Sequence, residues 1–144
     1  MEKKNIDGII NFEDYRVLEV SYKLNKEFYP EDAINIKFDL GHGYQISDDQ
    51  MLVQYGVKVF ENAEKQNFPF EIKVIIEGLF TTKDSNVDFE KFLPNALAIL
   101  FPYIRSIVST YTAVANIAPL NLPTINTIQY LEDSKDKGEH LEDF

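Results

Sequence analysis

Residues 51–60 read MLVQYGVKVF and residues 70–80 read FEIKVIIEGLF, and these two segments decide the fold. Every second residue in them is large and apolar: Val53, Tyr55, Val57 and Val59 in the first, and Phe70, Ile72, Val74 and Ile76 in the second. A period of two places these side chains on one face of an extended strand. The link between the segments is short and polar, as in an antiparallel pair.

Two earlier segments also have the character of strands. Residues 33–40 (AINIKFDL) alternate strictly, and residues 14–25 (DYRVLEVSYKLN) alternate roughly and are rich in Val, Tyr and Leu. Gly41-His42-Gly43 predicts a turn that ends the strand 33–40, and Ser47-Asp48-Asp49 extends the predicted connection to the next strand. Four strands in succession, joined by short links, predict an antiparallel meander.

The spacing of apolar residues widens to three and four after residue 88, which predicts helices. Asp88 is the predicted N-cap of a short helix, DFEKFL, that ends near Pro94. A longer helix follows, in which Pro102 either sits in the first turn or produces a kink. Ile104 and its neighbours at helical spacing form its apolar face.

The segment after the long helix cannot be helical throughout, because Pro119 and Pro123 interrupt it. We predict an extended connector here, and then a short last helix near Tyr130 that either Thr124 or Asn126 caps.

The order of elements predicts an α+β fold, a four-stranded antiparallel sheet followed by two helices packed on one face. Residues 1–131 form one predicted domain, which is a normal domain size for a chain of 144 residues. Residues 132–144 are polar and acidic and are predicted to be a flexible tail.

Composition excludes several classes of function. The chain carries 24 acidic against 14 basic residues, a net charge of −10, so we expect no binding to nucleic acid or to an anionic membrane. It has no Cys, which excludes disulfides and thiolate metal sites. The apolar run 96–101 is too short to span a bilayer and the N-terminus lacks a signal-peptide core, so we expect a cytoplasmic protein.

Signals of catalysis are few. Of the two histidines, His42 lies in the predicted turn and His140 in the predicted tail, and both are expected to be solvated. The chain has no nucleophile elbow, no phosphate-binding glycine loop and no calcium-loop spacing. We therefore predict a protein that is not an enzyme and uses no metal or cofactor.

Apolar residues are numerous where a two-layer domain has no interior left for them. Aromatic residues make up 13% of the chain, and Phe28, Tyr29 and Tyr44 fall in predicted loops. The connector from Leu120 to Ile125 is apolar although irregular. Because monomers rarely expose contiguous apolar patches, either another subunit or a ligand is expected to cover these residues.

Four short motifs then resemble those of the SecB family of bacterial protein-export chaperones. They are ILFPY at 99–103 with Arg105 two positions on, LNL at 120–122 with Pro123 and Asn126 behind it, GLF at 78–80, and KFDL at 37–40. The resemblance covers residues 15–131, and the order of the motifs agrees with the predicted elements. It implies a four-stranded sheet with two helices, dimers that associate into a homotetramer, and no catalytic or nucleotide-dependent activity.

The resemblance also implies that the chain holds unfolded polypeptides or preproteins in apolar grooves. Broad aromatic and aliphatic surface suits such promiscuous binding. Strand matches to the family and apolar surface residues together give the candidate client-binding side chains: Phe28, Tyr29, Ile36, Phe38, Leu40, Tyr55, Leu120, Leu122, Ile125 and Tyr130.

The partner of the chaperone stays open at this point. In the family, acidic residues on the outer sheet face and the tail help to dock the motor protein SecA, and Glu19 matches one of these acids. Lys23 and Lys73 stand where relatives have others, which makes sheet-mediated docking of SecA uncertain. A dedicated chaperone of an antitoxin in a toxin–antitoxin system is the alternative. Outside chaperones, an oligomeric interaction subunit or a small-ligand binder between sheet and helices would also use apolar surface.

Overall fold

The computed structural model describes residues 10–30, 33–137, 141 and 144, and a four-stranded antiparallel sheet forms its centre. The elements in chain order are β1 (Asn11–Leu24), β2 (Phe38–Ser47), β3 (Gln50–Val59), α1 (Ala63–Gln66), β4 (Phe70–Thr81), α2 (Phe89–Val114) and α3 (Thr127–Lys137). The predicted fold class, a four-stranded antiparallel sheet with helices packed on one face, is confirmed.

The order of strands in the sheet is β1-β4-β3-β2, so only β2, β3 and β4 form a meander. The prediction of a four-stranded meander is wrong for β1, which pairs with β4, for example Tyr22 opposite Ile72. Burial explains this order, because β3 and β4 are buried on most positions and occupy the centre, whereas β1 is largely exposed and suits an edge.

The second strand begins later and runs further than the sequence predicts. Residues 33–37 are irregular, because β3 ends at Val59, opposite Phe38; beyond that pair, the backbone N–H of Phe60 donates to the carbonyl oxygen of Lys37 at 2.9 Å. The predicted turn at Gly41–Gly43 is wrong: both glycines lie inside β2, and Gly41 pairs with Gly56 of β3. The chain reverses at Asp48, within the later part of the predicted connection, where a φ of 51° is in the left-handed region.

The first long helix is continuous where two helices were predicted. Asp88 is its N-cap, as predicted, with the carboxylate accepting from the backbone N–H of Glu90 at 3.1 Å. The predicted end near Pro94 is wrong, since α2 passes through both Pro94 and Pro102. Each proline removes one backbone hydrogen bond, but the apolar face of α2 stays packed on the sheet and keeps the helix intact.

The core lies between α2 and one face of the sheet, which we call the inner face; the opposite face is the outer face. Fully buried side chains at helical spacing on α2, such as Leu97, Leu100 and Ile104, meet those of β3 and β4. Within the described residues, α2 alone is long and apolar enough to cross a membrane by length and composition, and 39% of its apolar window is buried in the fold.

The segment between α2 and α3 is extended, as predicted, and Asn126 rather than Thr124 caps α3. The Asn126 Oδ1 accepts from the backbone N–H of Gln129 at 3.0 Å. Helix α3 runs to Lys137, six residues into the segment predicted to be a tail. The boundary and flexibility of that tail stay predictions. His140 lies outside the described residues.

Candidate functional site

Three of the ten candidate client-binding residues belong to the core. Tyr55 is 0% exposed and Leu122 is 1% exposed, and Leu40 is also buried. Tyr55 faces α2 and α3, and Leu122 packs from the connector into the core, so both are enclosed in this conformation and their role as client contacts stays a prediction. A client could contact them only after α3 or the connector moved.

Four of the ten candidates, the largely buried Leu40 among them, converge beside the edge strand β2. A cleft of about 320 Å³ opens between β2 and α3. Its apolar lining comes from Phe38 and Leu40 on the strand and from Ile125 and Tyr130 at and near the helix. Polar side chains form the rest of the lining: Asp39, Asn126, Gln129, Asp133 and Ser134.

A second cleft of about 400 Å³ continues from the first, because both share Phe38 and Asp39. It adds Ile36 and Phe68 as apolar residues, and Lys37, Glu61 and Gln66 around them. We call the two clefts together the β2 groove. An apolar floor with a polar rim along one strand suits a segment of polypeptide better than a small molecule.

The backbone of β2 adds a second means of binding. Since β2 is the last strand of the order β1-β4-β3-β2, only one of its two sides pairs within the sheet. The other side can accept an additional extended strand through main-chain hydrogen bonds. Such bonds do not depend on the sequence of the strand that is added.

Tyr130 closes the inner end of the groove. Its hydroxyl lies 2.8 Å from Nδ1 of His42, and its ring packs edge-on against the imidazole. The ring centre of Tyr130 lies 5.8 Å from the ring centre of Tyr55. Burial, and to a lesser extent the neighbouring Tyr130, raises the pKa of Tyr55 above its ordinary value. His42 thus anchors α3 against β2, a role that the predicted turn concealed.

The connector is fixed to α2 by side chains of the helix. Arg105 donates from Nε to the carbonyl oxygen of Leu122 at 2.9 Å, and the Thr112 hydroxyl accepts from the backbone N–H of Leu120 at 2.9 Å. These bonds satisfy an irregular apolar segment and leave Leu120 only partly buried. The role of Arg105 does not follow from the sequence alone; in the structure its guanidinium group positions the connector.

Phe28 and Tyr29 lie in the segment between β1 and β2 and precede the groove residues in sequence. The backbone of Tyr29 exchanges two hydrogen bonds with the side chain of Asn67, at 3.1 and 2.9 Å. Asn67 directly precedes the groove residue Phe68, so Tyr29 is tied near that end of the groove while its ring stays exposed. No contact brings Phe28 into the groove lining in the part of the chain that the structure describes.

The candidate SecA contact, Glu19, lies on the outer face and is paired there. Its carboxylate is 3.3 Å from Nζ of Lys73, and Lys23 lies 3.4 Å from Glu64. The two lysines that depart from the family pattern therefore neutralise carboxylates of this chain. Within the described residues, no group of three His, Cys, Asp or Glu side chains could hold a metal ion.

Comparisons with known proteins identify the family of the chain. The family described as preprotein translocase subunit SecB matches residues 16–137. An uncharacterized protein of Methanocaldococcus jannaschii, MJ0357, is 32% identical over 124 residues, covering 81% of this chain and 79% of that protein.

The fold is similar to that of the Mycobacterium tuberculosis Rv1957 SecB-like chaperone, solved with a peptide of the HigA1 antitoxin. The TM-score is 0.65 at 15% identity, covering 81% of this chain and 90% of that one. With the family match over most of its length, the chain belongs to the SecB family of non-enzymatic chaperones.

Proposed function

We propose that this chaperone is a holdase that binds extended, unfolded polypeptide in the β2 groove and so keeps it competent for export. The observation that carries the proposal is the groove itself, an apolar strip along an edge strand whose backbone can accept another strand. Binding to the unfolded state slows folding by mass action and requires no nucleotide. The net charge of −10 favours basic clients and keeps an apolar surface soluble.

A second candidate role is that of a dedicated antitoxin chaperone. Two observations favour it. Lys73 neutralises Glu19, the residue proposed to contact SecA, and the similar Mycobacterium chaperone was solved with an antitoxin peptide. In this role the same groove would hold one segment of an antitoxin in place of many preproteins.

We further propose that the chain acts as a cytoplasmic homotetramer. The outward side of α2 presents small side chains at helical spacing, namely Ala98, Pro102, Ser106, Thr110 and Ala113. Small residues allow helices to approach closely, which suits packing of α2 against α2 of another copy. The exposed edge strand β1 carries Val17, Leu18 and Leu24 on its surface and offers a second contact. Native mass spectrometry would measure the stoichiometry, and a monomer at micromolar concentration would contradict it.

The test of the groove is a refolding assay in which a slowly folding protein is diluted from denaturant into a slight excess of this chaperone. Wild-type protein should slow or block refolding without nucleotide. Ile36→Asp, which places a charge on the apolar floor of the groove, should weaken client binding about tenfold or more. Phe38→Asp should weaken binding at least as strongly, because Phe38 lines both clefts.

The matched control is Ile46→Asp. Ile36 is 39% exposed and Ile46 is 43% exposed; Ile46 lies on β2 but lines neither of the two clefts. The control should therefore slow refolding as the wild type does. Client binding that survives Ile36→Asp and Phe38→Asp, with assembly intact, would contradict the groove assignment.

Different results separate the alternatives. A dedicated antitoxin chaperone would leave several unrelated clients unaffected but would prevent aggregation of its own antitoxin. An interaction subunit would affect neither. A general holdase would act on all of them.

A further inference from the structure

The outer face of the sheet contains a shallow trough where two strands lack side chains. Gly41 of β2 and Gly56 of β3 are direct partners in the ladder, so neither fills the space above the backbone. Ile75 of β4 borders this space, and a Cβ on Gly56 would lie 3.2 Å from its Cγ1. We call this feature, bordered also by Lys58 and Lys73, the outer trough.

Leu141 and Phe144 occupy the outer trough. A Cβ on Gly41 would lie 2.8 Å from the Phe144 ring, and a Cβ on Gly56 would lie 2.9 Å from Cδ1 of Leu141. Real Cβ atoms do not approach other heavy atoms so closely, so an alanine at either position would displace the Phe144 ring or the Leu141 side chain from its present place. Gly41 and Gly56 have no left-handed φ that would require glycine for the backbone itself.

Two lysines contact Phe144, one at its backbone and one at its ring. The Lys73 ammonium donates to the Phe144 carbonyl oxygen at 3.3 Å, and the Lys58 ammonium lies 4.6 Å from the centre of the ring. A cation at that distance from an aromatic ring is attracted to it. The trough thus combines a slot for an aromatic ring and a leucine with two ammonium groups, which also pair with carboxylates of this chain, Lys58 with Glu61 at 3.2 Å and Lys73 with Glu19 at 3.3 Å.

The two side chains fill only one end of a larger site. Next to Leu141 the outer face opens into a cleft of about 700 Å³, whose apolar lining includes Leu18, Leu52 and Ile75. The polar lining includes Gln54 and Glu77, and Gln54 donates to Glu77 at 3.1 Å. A peptide that entered the outer trough could therefore continue into space that Leu141 and Phe144 leave open.

We propose that the outer trough is a second peptide-docking site, distinct from the β2 groove, which the chain occupies with its own Leu141 and Phe144. The partner that fits is an acidic peptide with a leucine and an aromatic residue three positions apart, the pattern of Leu141-Glu142-Asp143-Phe144. Such a partner must displace Leu141 and Phe144 from the outer trough. These two residues of the same chain therefore inhibit docking and select for partners that bind the trough more tightly than they do.

Tryptophan fluorescence tests the occupation directly. The chain contains no Trp, so Phe144→Trp introduces a single reporter at the site. Its emission should be blue-shifted relative to Trp in water. Adding Gly41→Ala should remove that shift, because the new methyl group takes the position of the ring.

Gly43→Ala is the matched control. It adds the same methyl group to the same strand, where the nearest atom is 3.9 Å away. It should leave the emission blue-shifted. Equal emission of the Gly41→Ala and Gly43→Ala variants would overturn the proposal, and a blue shift that disappears on dilution would overturn occupation in cis by assigning the residues to a second copy.

A binding experiment in trans avoids the larger Trp side chain. The probe is a fluorescent peptide with the sequence of residues 138–144, GEHLEDF. It should bind the full chain carrying Leu141→Ser and Phe144→Ser about tenfold or more tighter than it binds the wild type, whose own residues compete intramolecularly. Addition of Gly41→Ala should abolish that binding, whereas Gly43→Ala should not.

Equal affinity for the wild type and the Ser variant, or unchanged binding after Gly41→Ala, would overturn the proposal. These measurements use no unfolded client. They therefore succeed or fail independently of the holdase activity assigned to the β2 groove.

Discussion

The two faces of the one sheet follow different rules. On the inner face, β3 and β4 present side chains that α2 buries almost completely, and Gly78 is needed because Leu100 lies directly over it. On the outer face, ion pairs and a glycine trough replace the apolar layer. A close-packed face fixes the fold, whereas a face with charges and open space can exchange its contacts. We therefore expect the binding sites of this domain at the edge and on the outside of a rigid centre.

The largest expected effect tests how tightly the inner face is packed. Leu100→Ala should lower the free energy of unfolding by about 2–5 kcal/mol, because it leaves a cavity above Gly78. Gly78→Ala should lower it by about 1–3 kcal/mol, because its Cβ would lie 2.7 Å from Leu100. Urea denaturation of both variants gives these values.

The double variant decides whether the two residues share one space. The alanine methyl group at 78 fits the volume that Leu100→Ala vacates, so the combined loss should be smaller than the sum of the two single losses. Losses that add within about 0.5 kcal/mol would show that the inner face relaxes around each change separately.

A smaller effect on stability is expected from substituting Tyr55, a buried side chain on the inner face that carries a polar hydroxyl group. Within the described residues its hydroxyl has no hydrogen-bond partner, although it is buried. Tyr55→Phe should therefore raise the free energy of unfolding by about 1–2 kcal/mol. A loss of stability would show that the hydroxyl is satisfied in solution.

The pH dependence of stability gives an independent check on Tyr55. Burial raises the pKa of Tyr55 in the folded state, so above pH 10, the ordinary value, the unfolded chain loses a proton that the folded chain keeps. Stability should then fall by about 1.4 kcal/mol per pH unit from this group, and Tyr55→Phe should remove that part of the decline. Urea titrations between pH 9 and 11 measure the difference.

Much of the fold followed from the sequence because periodicity reports burial. The two central strands were predicted within one residue at each end, since both are buried on alternate positions along their whole length. Asp88 was predicted as a cap because its carboxylate acts locally. Where residues interact with distant parts of the chain, the same reasoning failed.

The glycines of β2 show why it failed. Gly41 and Gly43 suggest a turn by composition, but Gly41 leaves open the space in which the Phe144 ring lies, about a hundred positions away in sequence. Because a turn was predicted at Gly41–Gly43, the contact between His42 and Tyr130 was not predicted. Likewise, Tyr55 and Leu122 were apolar candidates for a groove, and only tertiary packing shows that they belong to the core.

The smallest expected effects on stability come from breaking two ion pairs, one on the outer face and one at its margin. Arg16 lies 2.7 Å from Glu77, and the side chain of Arg16 is 73% exposed while that of Glu77 is 8% exposed. Lys23 lies 3.4 Å from Glu64, and both of those side chains are more than half exposed. Arg16→Ala should cost about 1 kcal/mol, because it leaves a nearly buried carboxylate with Gln54 as its remaining donor among the bonds described here.

Lys23→Ala should cost no more than a few tenths of a kcal/mol, since water and salt screen a pair that is exposed on both sides. Chemical denaturation of the two variants in parallel, at low and at physiological salt, measures both losses. Equal losses of stability would mean that solvent screens both ion pairs to the same extent. The side chains near Glu77 would then exchange their contacts as readily as those at the margin. A larger loss for Arg16→Ala would place one fixed charged pair beside the open cleft, where it would limit the register in which a docked peptide can lie.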